Sequence, residues 1–288
     1  MRKTKGFTLI ELLVVIAIIA LLMSILIPVL RSTKNQARAV VCQANLKQWG
    51  SILNLYTEDN RDCFPTYLLD PEIIWFLRGS IPGSDDKDKD SIRSVDAKGI
   101  ACCPMATKAG QLHYFSGGMN GLEMEGWYGG TYDAWELIRP GRPFRTSYGL
   151  NGWLFCPDFD SSIPWRTRRA KLTGVRIDTI RGGGNIPVLL DSVYPYSHPG
   201  ERGRLEPPSK EGWKSPGGLG GSIGYFAINR HNEYDNSLLL DWSVRRIGIK
   251  ELWTLKWHLQ FNTANEWTKA GGVQQEDWPK WMRSFKDY

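Results

Sequence analysis

The 288-residue sequence predicts an α+β protein, in which a long N-terminal helix packs on an antiparallel β-sheet head with long loops. Three observations lead to this fold class. The chain begins with a long apolar run, continues with a polar segment of helical periodicity, and changes near residue 63 to short apolar runs between turn clusters. Its 30 glycines and 16 prolines indicate a head rich in turns.

The first element is an apolar run from Phe7 to Ile27 that contains a single charged residue, Glu11. About 20 apolar residues in a helix cross the hydrocarbon core of a bilayer. Residues 1–6 are short, basic and polar, which favours a cytoplasmic N-terminus and places the rest of the chain on the far side. A secretory signal peptide has a shorter apolar core followed by a small-x-small cleavage site, and this run does not fit that description.

Glu11 distinguishes the remaining interpretations of the run. A plain signal anchor explains its length but not a carboxylate within it, because a charged group is costly in a bilayer. The sequence Gly6-Phe7-Thr8-Leu9-Ile10-Glu11, between a basic leader and a long apolar run, resembles the processing site of type IV prepilins and type II secretion pseudopilins. This resemblance implies cleavage after Gly6 by a prepilin peptidase and N-methylation of the new terminus, Phe7.

The same resemblance implies that Glu11 acts in assembly, by pairing with the terminal amine of a neighbouring pilin-like subunit. An ammonium and a carboxylate are each costly alone in lipid and less costly as a pair. Pro28 matches a proline of many of these proteins, and in a helix interior it is expected to kink the axis. The predicted segments are a leader (1–6), a transmembrane helix (7–27), a helix extension (28–62) and a globular head (63–288).

The extension is predicted to be the amphipathic half of the same helix. Trp49, Ile52, Leu53 and Tyr56 recur at i, i+3, i+4 and i+7, which places them on one face. Gly50 weakens this helix without ending it. The apolar stripe is expected to lie against the head.

Short apolar runs in the head predict its strands. Three of them are residues 147–155, 187–191 and 225–228. Two more, 238–240 and 244–247, flank Asp241-Trp242-Ser243 and predict a hairpin.

A second resemblance lies in this hairpin region. Arg230-His231-Asn232, followed after nine residues by Asp241, resembles a His-x9-Asp-Gly motif of pseudopilin-like proteins from Planctomycetes-type bacteria. Trp242 stands where those proteins have Gly. Because Trp tolerates a positive φ badly, a longer loop or another turn type is expected here. Three interpretations of His231 and Asp241 are open: a hydrogen-bonded pair, a metal site or a catalytic pair. A structural role for both residues is favoured.

The five cysteines include no Cys-x-x-Cys pair, which argues against a zinc ribbon or a thioredoxin-like site. Outside the membrane disulfides are allowed, and Cys103 is a candidate partner of Cys42 or Cys63. Buried free thiols are the alternative.

No metal site and no cofactor are predicted. Alternating aspartates at 85–90 invite a calcium interpretation, but interleaved lysines favour a solvated loop. The net charge of +6 comes without a long Lys/Arg cluster, so nucleic acid is not an expected partner.

The resemblances imply a pseudopilin-like subunit of a type II secretion or type IV pilus-like filament, single-pass in the cytoplasmic membrane with its head in the periplasm or outside. The alternative is an anchored binding protein that forms no filament, with the Trp-rich tail 253–288 as a candidate glycan surface. An enzyme is the least favoured class, because no G-x-S-x-G, H-E-x-x-H or phosphate-loop motif is present.

Overall fold

The computed structural model describes residues 8–64, 99–110, 113–119, 122–139, 144–154, 177, 180–200, 205–211 and 223–288. The predicted cleavage site at Gly6 and Phe7 and the aspartates at 85–90 lie outside these ranges, as does Cys156.

A single helix, α1 (Leu9–Asp59), forms the N-terminal part of the described chain. Thr8 caps it: the Thr8 side chain accepts a hydrogen bond from the Glu11 backbone amide, and the Glu11 side chain accepts one from the Thr8 backbone amide. This reciprocal capping box satisfies amides that have no partner within the helix. The helix continues through Pro28.

The two halves of α1 differ in their surroundings. The large apolar side chains from Leu9 to Leu30 are all exposed, whereas burial begins at Cys42. Beyond that point Leu46, Trp49 and Leu53 are buried in the head at helical spacing. The predicted amphipathic stripe is therefore confirmed, with Ile52 and Tyr56 partly buried beside it.

Five strands form a first sheet: β1 (Lys108–Ala109), β2 (Tyr114–Met119), β3 (Leu122–Trp127), β4 (Asp133–Arg139) and β5 (Phe144–Thr146). Their order is β1-β4-β3-β2, with β5 also pairing with β4. The β1–β4 pair is parallel and the others are antiparallel.

A second sheet contains β6 (Tyr148–Asn151), β7 (Pro187–Asp191), β8 (Tyr196–Ser197), β9 (Tyr234–Leu239) and β10 (Val244–Gly248). Its order is β10-β9-β7-β6-β8, and only the β6–β8 pair is parallel. The α+β prediction is confirmed, with sheets that are mixed and mainly antiparallel.

The second sheet lies between α1 and the C-terminal tail. Adjacent residues on β9 show the two faces: Leu238 packs in the cluster with Trp49 of the helix, and Leu239 packs with Trp253 and Trp257 of the tail. This alternation follows from the two-residue period of a strand. Both faces of the sheet are therefore covered.

The predicted strand at 187–191 is confirmed, and the one at 147–155 is shorter, at Tyr148–Asn151. The strand prediction for residues 225–228 is wrong. A 3₁₀ helix, Ile223–Tyr225, leads into an irregular segment whose amides bond to nearby carbonyls, as Ala227 does to Ile223. The apolar side chains of this segment are buried, but a short apolar run indicates burial and does not by itself specify a strand.

The predicted hairpin is formed by β9 and β10. Leu239 and Ser243 close it through a backbone bond of 2.8 Å, so its loop is the three residues 240–242. Trp242 has a φ of 63°. Three-residue hairpin loops end on a residue with positive φ, which explains the glycine of the His-x9-Asp-Gly motif. Trp242 therefore occupies a position that favours glycine.

Candidate functional site

The N-terminal candidate site is described from Thr8 onward. Glu11 accepts hydrogen bonds from the Thr8 backbone amide at 2.8 Å and from the Thr8 hydroxyl at 2.7 Å, both through Oε2. Its side chain is exposed. The carboxylate predicted to act in assembly therefore stands at the open start of the helix.

The apolar half of α1 makes the largest exposed apolar surface of the described residues. Every residue from Thr8 to Arg31 is exposed, including Leu9 at 81% and Ile10 at 70%. Within the described part of the chain this is the one helix long and apolar enough to cross a membrane. An apolar surface of this extent requires lipid or other protein around it.

A second, buried candidate site lies where α1 meets the head. Cys42 of the helix, Cys103 from the segment before β1, Asp191 at the end of β7 and His231 before β9 converge there. One ligand atom from each of the four side chains lies within 4.8 Å of the others. All four are buried.

An ion pair holds Asp191 in place. The Arg230 guanidinium, which is fully buried, lies 2.5 Å from Asp191 Oδ1. It also donates to the carbonyl oxygens of Thr131, Ser147 and Gly130, at 2.6, 3.0 and 3.0 Å. Although burial raises the pKa of Asp191, the charges of Arg230 and His231 outweigh it and lower that pKa to about 2.

His231 joins this carboxylate to a thiol. Its Nε2 lies 3.0 Å from Asp191 Oδ2 and 3.4 Å from Cys103 Sγ. Burial lowers the pKa of His231, but the Asp191 charge outweighs burial and raises that pKa to about 9. Burial by itself raises the pKa of Cys103. The hydrogen bonds with Cys42 and His231 and the charge of Arg230 outweigh burial and lower that pKa to about 6.

Cys42 completes the cluster from the helix. Its Sγ lies 3.3 Å from the Tyr148 hydroxyl and 3.6 Å from Asp191 Oδ2. Burial, followed by the hydrogen bond with Cys103 and the Asp191 charge, raises the pKa of the Cys42 thiol. Cys42 and Cys103 are free cysteines in this structure. The disulfide between them stays a prediction.

Cys103 contacts His231, which in turn contacts Asp191, and this arrangement resembles a nucleophilic triad. The cluster is, however, closed to solvent. Cys103 and Asp191 have no exposed surface, and His231 is 5% exposed. A nucleophile must reach its substrate, and buried structural thiols are unreactive for that reason. The arrangement is suited to holding the helix on the head.

The structure places His231 and Asp241 in separate hydrogen-bond networks. Asp241 accepts from the backbone amide and hydroxyl of Ser243, at 3.0 and 2.6 Å, within the hairpin loop. The hydrogen bonds from Ser243, above all the one from its hydroxyl, lower the pKa of Asp241. Asp241 shapes the turn, as an aspartate commonly does, while His231 belongs to the buried cluster.

The Trp-rich tail forms part of the core. Trp253, Trp257 and Trp278 are buried, and Trp267 and Trp281 are partly buried. Glycan stacking requires exposed aromatic faces, which the three buried side chains do not provide and the other two provide only in part. The tail therefore does not support the glycan-binding alternative.

Sequence reasoning assigned no site role to Asp191 of the buried cluster, nor to Arg230 and Asp235, which contact Asp191. Asp235 Oδ1 accepts a hydrogen bond from the Asp191 backbone amide at 3.1 Å, and burial raises the pKa of Asp235. A charged residue at the end of an apolar strand, as in the predicted strand 187–191, is the signal that points to Asp191.

The comparisons with known proteins concern the N-terminal segment. Residues 1–27 match the family described as the prokaryotic N-terminal methylation motif. The chain is 48% identical over 60 residues to the type IV wide pilus major component of Thermus thermophilus, which covers 21% of this chain and 46% of the relative. It is 36% identical over 59 residues to the type II secretion system core protein G of Pseudomonas aeruginosa, covering 20% and 42%.

The chain spans less than half the length of each of these curated relatives. No solved structure shows significant similarity to the chain. The expected resemblance at the N-terminus is confirmed, and together with the exposed apolar helix it indicates membrane anchoring. The chain thus carries a prepilin-type N-terminal methylation motif and is similar, through that segment, to type IV pilus and type II secretion subunits.

Proposed function

We propose that this protein is a pseudopilin-like subunit of a type II secretion or type IV pilus-like filament. A prepilin peptidase cleaves it after Gly6 and methylates Phe7. The observation that carries the proposal is the apolar half of α1, which is exposed over its whole length and lies largely within the residues 1–27 that match the methylation motif.

The exposed half of α1 has two successive environments in this proposal. Before assembly it crosses the cytoplasmic membrane once, with the head in the periplasm or outside. During assembly its apolar side chains leave lipid and pack against the same segment of neighbouring subunits. The second half remains fixed to the head through Leu46, Trp49 and Leu53.

Glu11 guides this assembly. Both hydrogen bonds from Thr8 reach Oε2, and Oε1 is the oxygen that receives the terminal ammonium of a neighbouring Phe7 in this proposal. In lipid a carboxylate without a cation is costly, and the pair reduces that cost. The head acts through contacts with other subunits or secreted protein and not through catalysis, consistent with the closed cluster at Cys103.

The first experiment is intact mass and N-terminal sequencing of the membrane-extracted protein. The expected mature chain begins at N-methylated Phe7. A chain that retains residues 1–6 is a plain signal anchor, and cleavage near or after Ile27 indicates an ordinary secreted protein. Either result overturns the proposal.

The second experiment separates filament assembly from anchoring. Glu11→Ala is compared with Glu58→Ala, which removes an exposed carboxylate from the other end of the same helix. We expect Glu11→Ala to abolish cross-linked multimers and shear-released filaments while the protein remains in the membrane, and Glu58→Ala to retain both. If Glu11→Ala assembles as the parent does, Glu11 does not guide assembly. If neither the parent nor Glu58→Ala gives multimers or filaments while both remain in the membrane, the anchored binding protein without a filament is the better explanation.

A further inference from the structure

The buried cluster between α1 and the head has the composition of a metal site. It offers two cysteine sulfurs, one imidazole nitrogen and one carboxylate oxygen, from Cys42, Cys103, His231 and Asp191. Four ligands from these residue types are the usual number for structural zinc. The sequence spacing concealed the set, because its two cysteines are 61 positions apart (103 − 42).

The distances between these atoms approach those of a tetrahedral zinc site. Zinc bonds of about 2.3 Å to sulfur and about 2.0–2.2 Å to nitrogen and oxygen place neighbouring ligand atoms roughly 3.2–3.8 Å apart. Here His231 Nε2 lies 3.4 Å from Cys103 Sγ and 3.0 Å from Asp191 Oδ2. Cys42 Sγ lies 3.6 Å from the same Oδ2. All four ligand atoms lie within 4.8 Å of one another, so side-chain adjustments are sufficient to bring them around one ion.

The surrounding charges also suit a divalent cation. Two thiolates and a carboxylate around Zn²⁺ leave one negative charge, which the buried Arg230 guanidinium neutralises. Arg230 binds Asp191 Oδ1 and so leaves Oδ2 facing the other three ligands. The Tyr148 hydroxyl lies within hydrogen-bond distance of Cys42 Sγ and can stabilise a thiolate there. Residues that orient metal ligands in this way are a normal part of such sites.

We propose that Cys42, Cys103, Asp191 and His231 bind a zinc ion that fastens helix α1 to the head. Thiolates and imidazole select a borderline-soft ion such as zinc over calcium or magnesium. Four protein ligands in a closed site leave no position for substrate, so the ion is structural. This proposal departs from the sequence prediction of no metal, and it competes with the predicted Cys42–Cys103 disulfide, because an oxidised pair supplies no thiolates.

The test uses the full-length chain, extracted in detergent from membranes and purified without reducing agent or chelator. Bound zinc is measured by elemental analysis, and Co²⁺ is then exchanged into the protein as a spectroscopic probe. We expect about one zinc per chain, and a Co²⁺ spectrum with thiolate charge-transfer and tetrahedral bands. Intact mass under non-reducing conditions is expected to show both cysteines as thiols after the metal is removed.

Adjacent cysteines supply a matched control. Cys102 precedes Cys103 but points away from the cluster, with its Sγ near the Arg145 carbonyl oxygen. We expect Cys102→Ser to keep the zinc and the Co²⁺ spectrum, and Cys103→Ser and His231→Gln to lose most of both. Near-ultraviolet circular dichroism of each variant reports whether the head is folded.

Measurements on the unmutated chain keep the proposal falsifiable even if the variants unfold. A purified chain that takes up no Zn²⁺ or Co²⁺ when either is supplied in excess overturns it. An intact mass lower by two hydrogen atoms, together with a disulfide-linked peptide that contains Cys42 and Cys103, overturns the proposal in favour of the disulfide. Neither result bears on N-terminal processing, so the proposed function stands or falls separately.

Discussion

The buried ion pair between Arg230 and Asp191 provides a sharp test of what holds the head together. We expect Arg230→Met to lower the free energy of unfolding by about 4 kcal/mol, because breaking a buried pair leaves a charge without compensation and typically costs about 3–5 kcal/mol. Both side chains are fully buried, so water does not replace the lost guanidinium. The substitution also removes the donor to the carbonyl oxygens of Thr131, Ser147 and Gly130.

The matched control is a partly exposed pair of similar geometry. Arg145 lies 2.8 Å from Glu136, with the two side chains 42% and 19% exposed. Arg145→Met is expected to cost about 0–1 kcal/mol, as exposed pairs do. Arg230→Lys keeps the charge but not the planar set of donors, and an intermediate loss is expected.

The assay is urea unfolding of the detergent-solubilised full chain, followed by tryptophan fluorescence. All 13 tryptophans lie at or beyond Trp49, so the signal reports on the head and the helix end packed on it. The reasoning is refuted if Arg230→Met costs less than about 1 kcal/mol, or no more than Arg145→Met, because burial would then not determine the strength of the pair.

Three further predictions use the same assay. Trp242→Gly is expected to be more stable than Trp242→Ala by about 1 kcal/mol, because both remove the ring but only glycine adopts the φ of 63° without strain; equal stabilities would contradict this. Leu53→Ala, at the buried contact, is expected to cost about 2–5 kcal/mol and Leu55→Ala, 62% exposed, almost nothing, whereas similar costs would mean that the helix does not pack as described. Burial lowers the pKa of His258 from 6.5 to about 4, so the unfolded chain takes the proton first and stability is lost as pH falls through this interval. Relative to His258→Gln, the loss is expected to be about 1–2 kcal/mol after allowance for partial exposure, and parallel pH profiles would refute it.

Local patterns in the sequence were sufficient to predict the elements that depend on neighbours along the chain. The apolar run from Phe7 and the stripe at Trp49 and Leu53 each occupy a few helical turns. The strand 187–191 and the hairpin around Asp241 were equally accessible, because a turn between two apolar runs specifies antiparallel pairing. Gly6 and Phe7 required a resemblance to known processing sites, since no packing argument identifies a peptidase site.

The tertiary structure alone decided what the motif residues of the head contribute. Cys42 meets Asp191 across 149 positions and Cys103 meets His231 across 128, separations over which the sequence carries no periodic signal. The same limit explains why residues 225–228 were predicted as a strand and why the tail tryptophans were weighed as a binding surface. An apolar side chain indicates that it will be buried, but which partner buries it depends on how the sheets, α1 and the tail assemble in three dimensions.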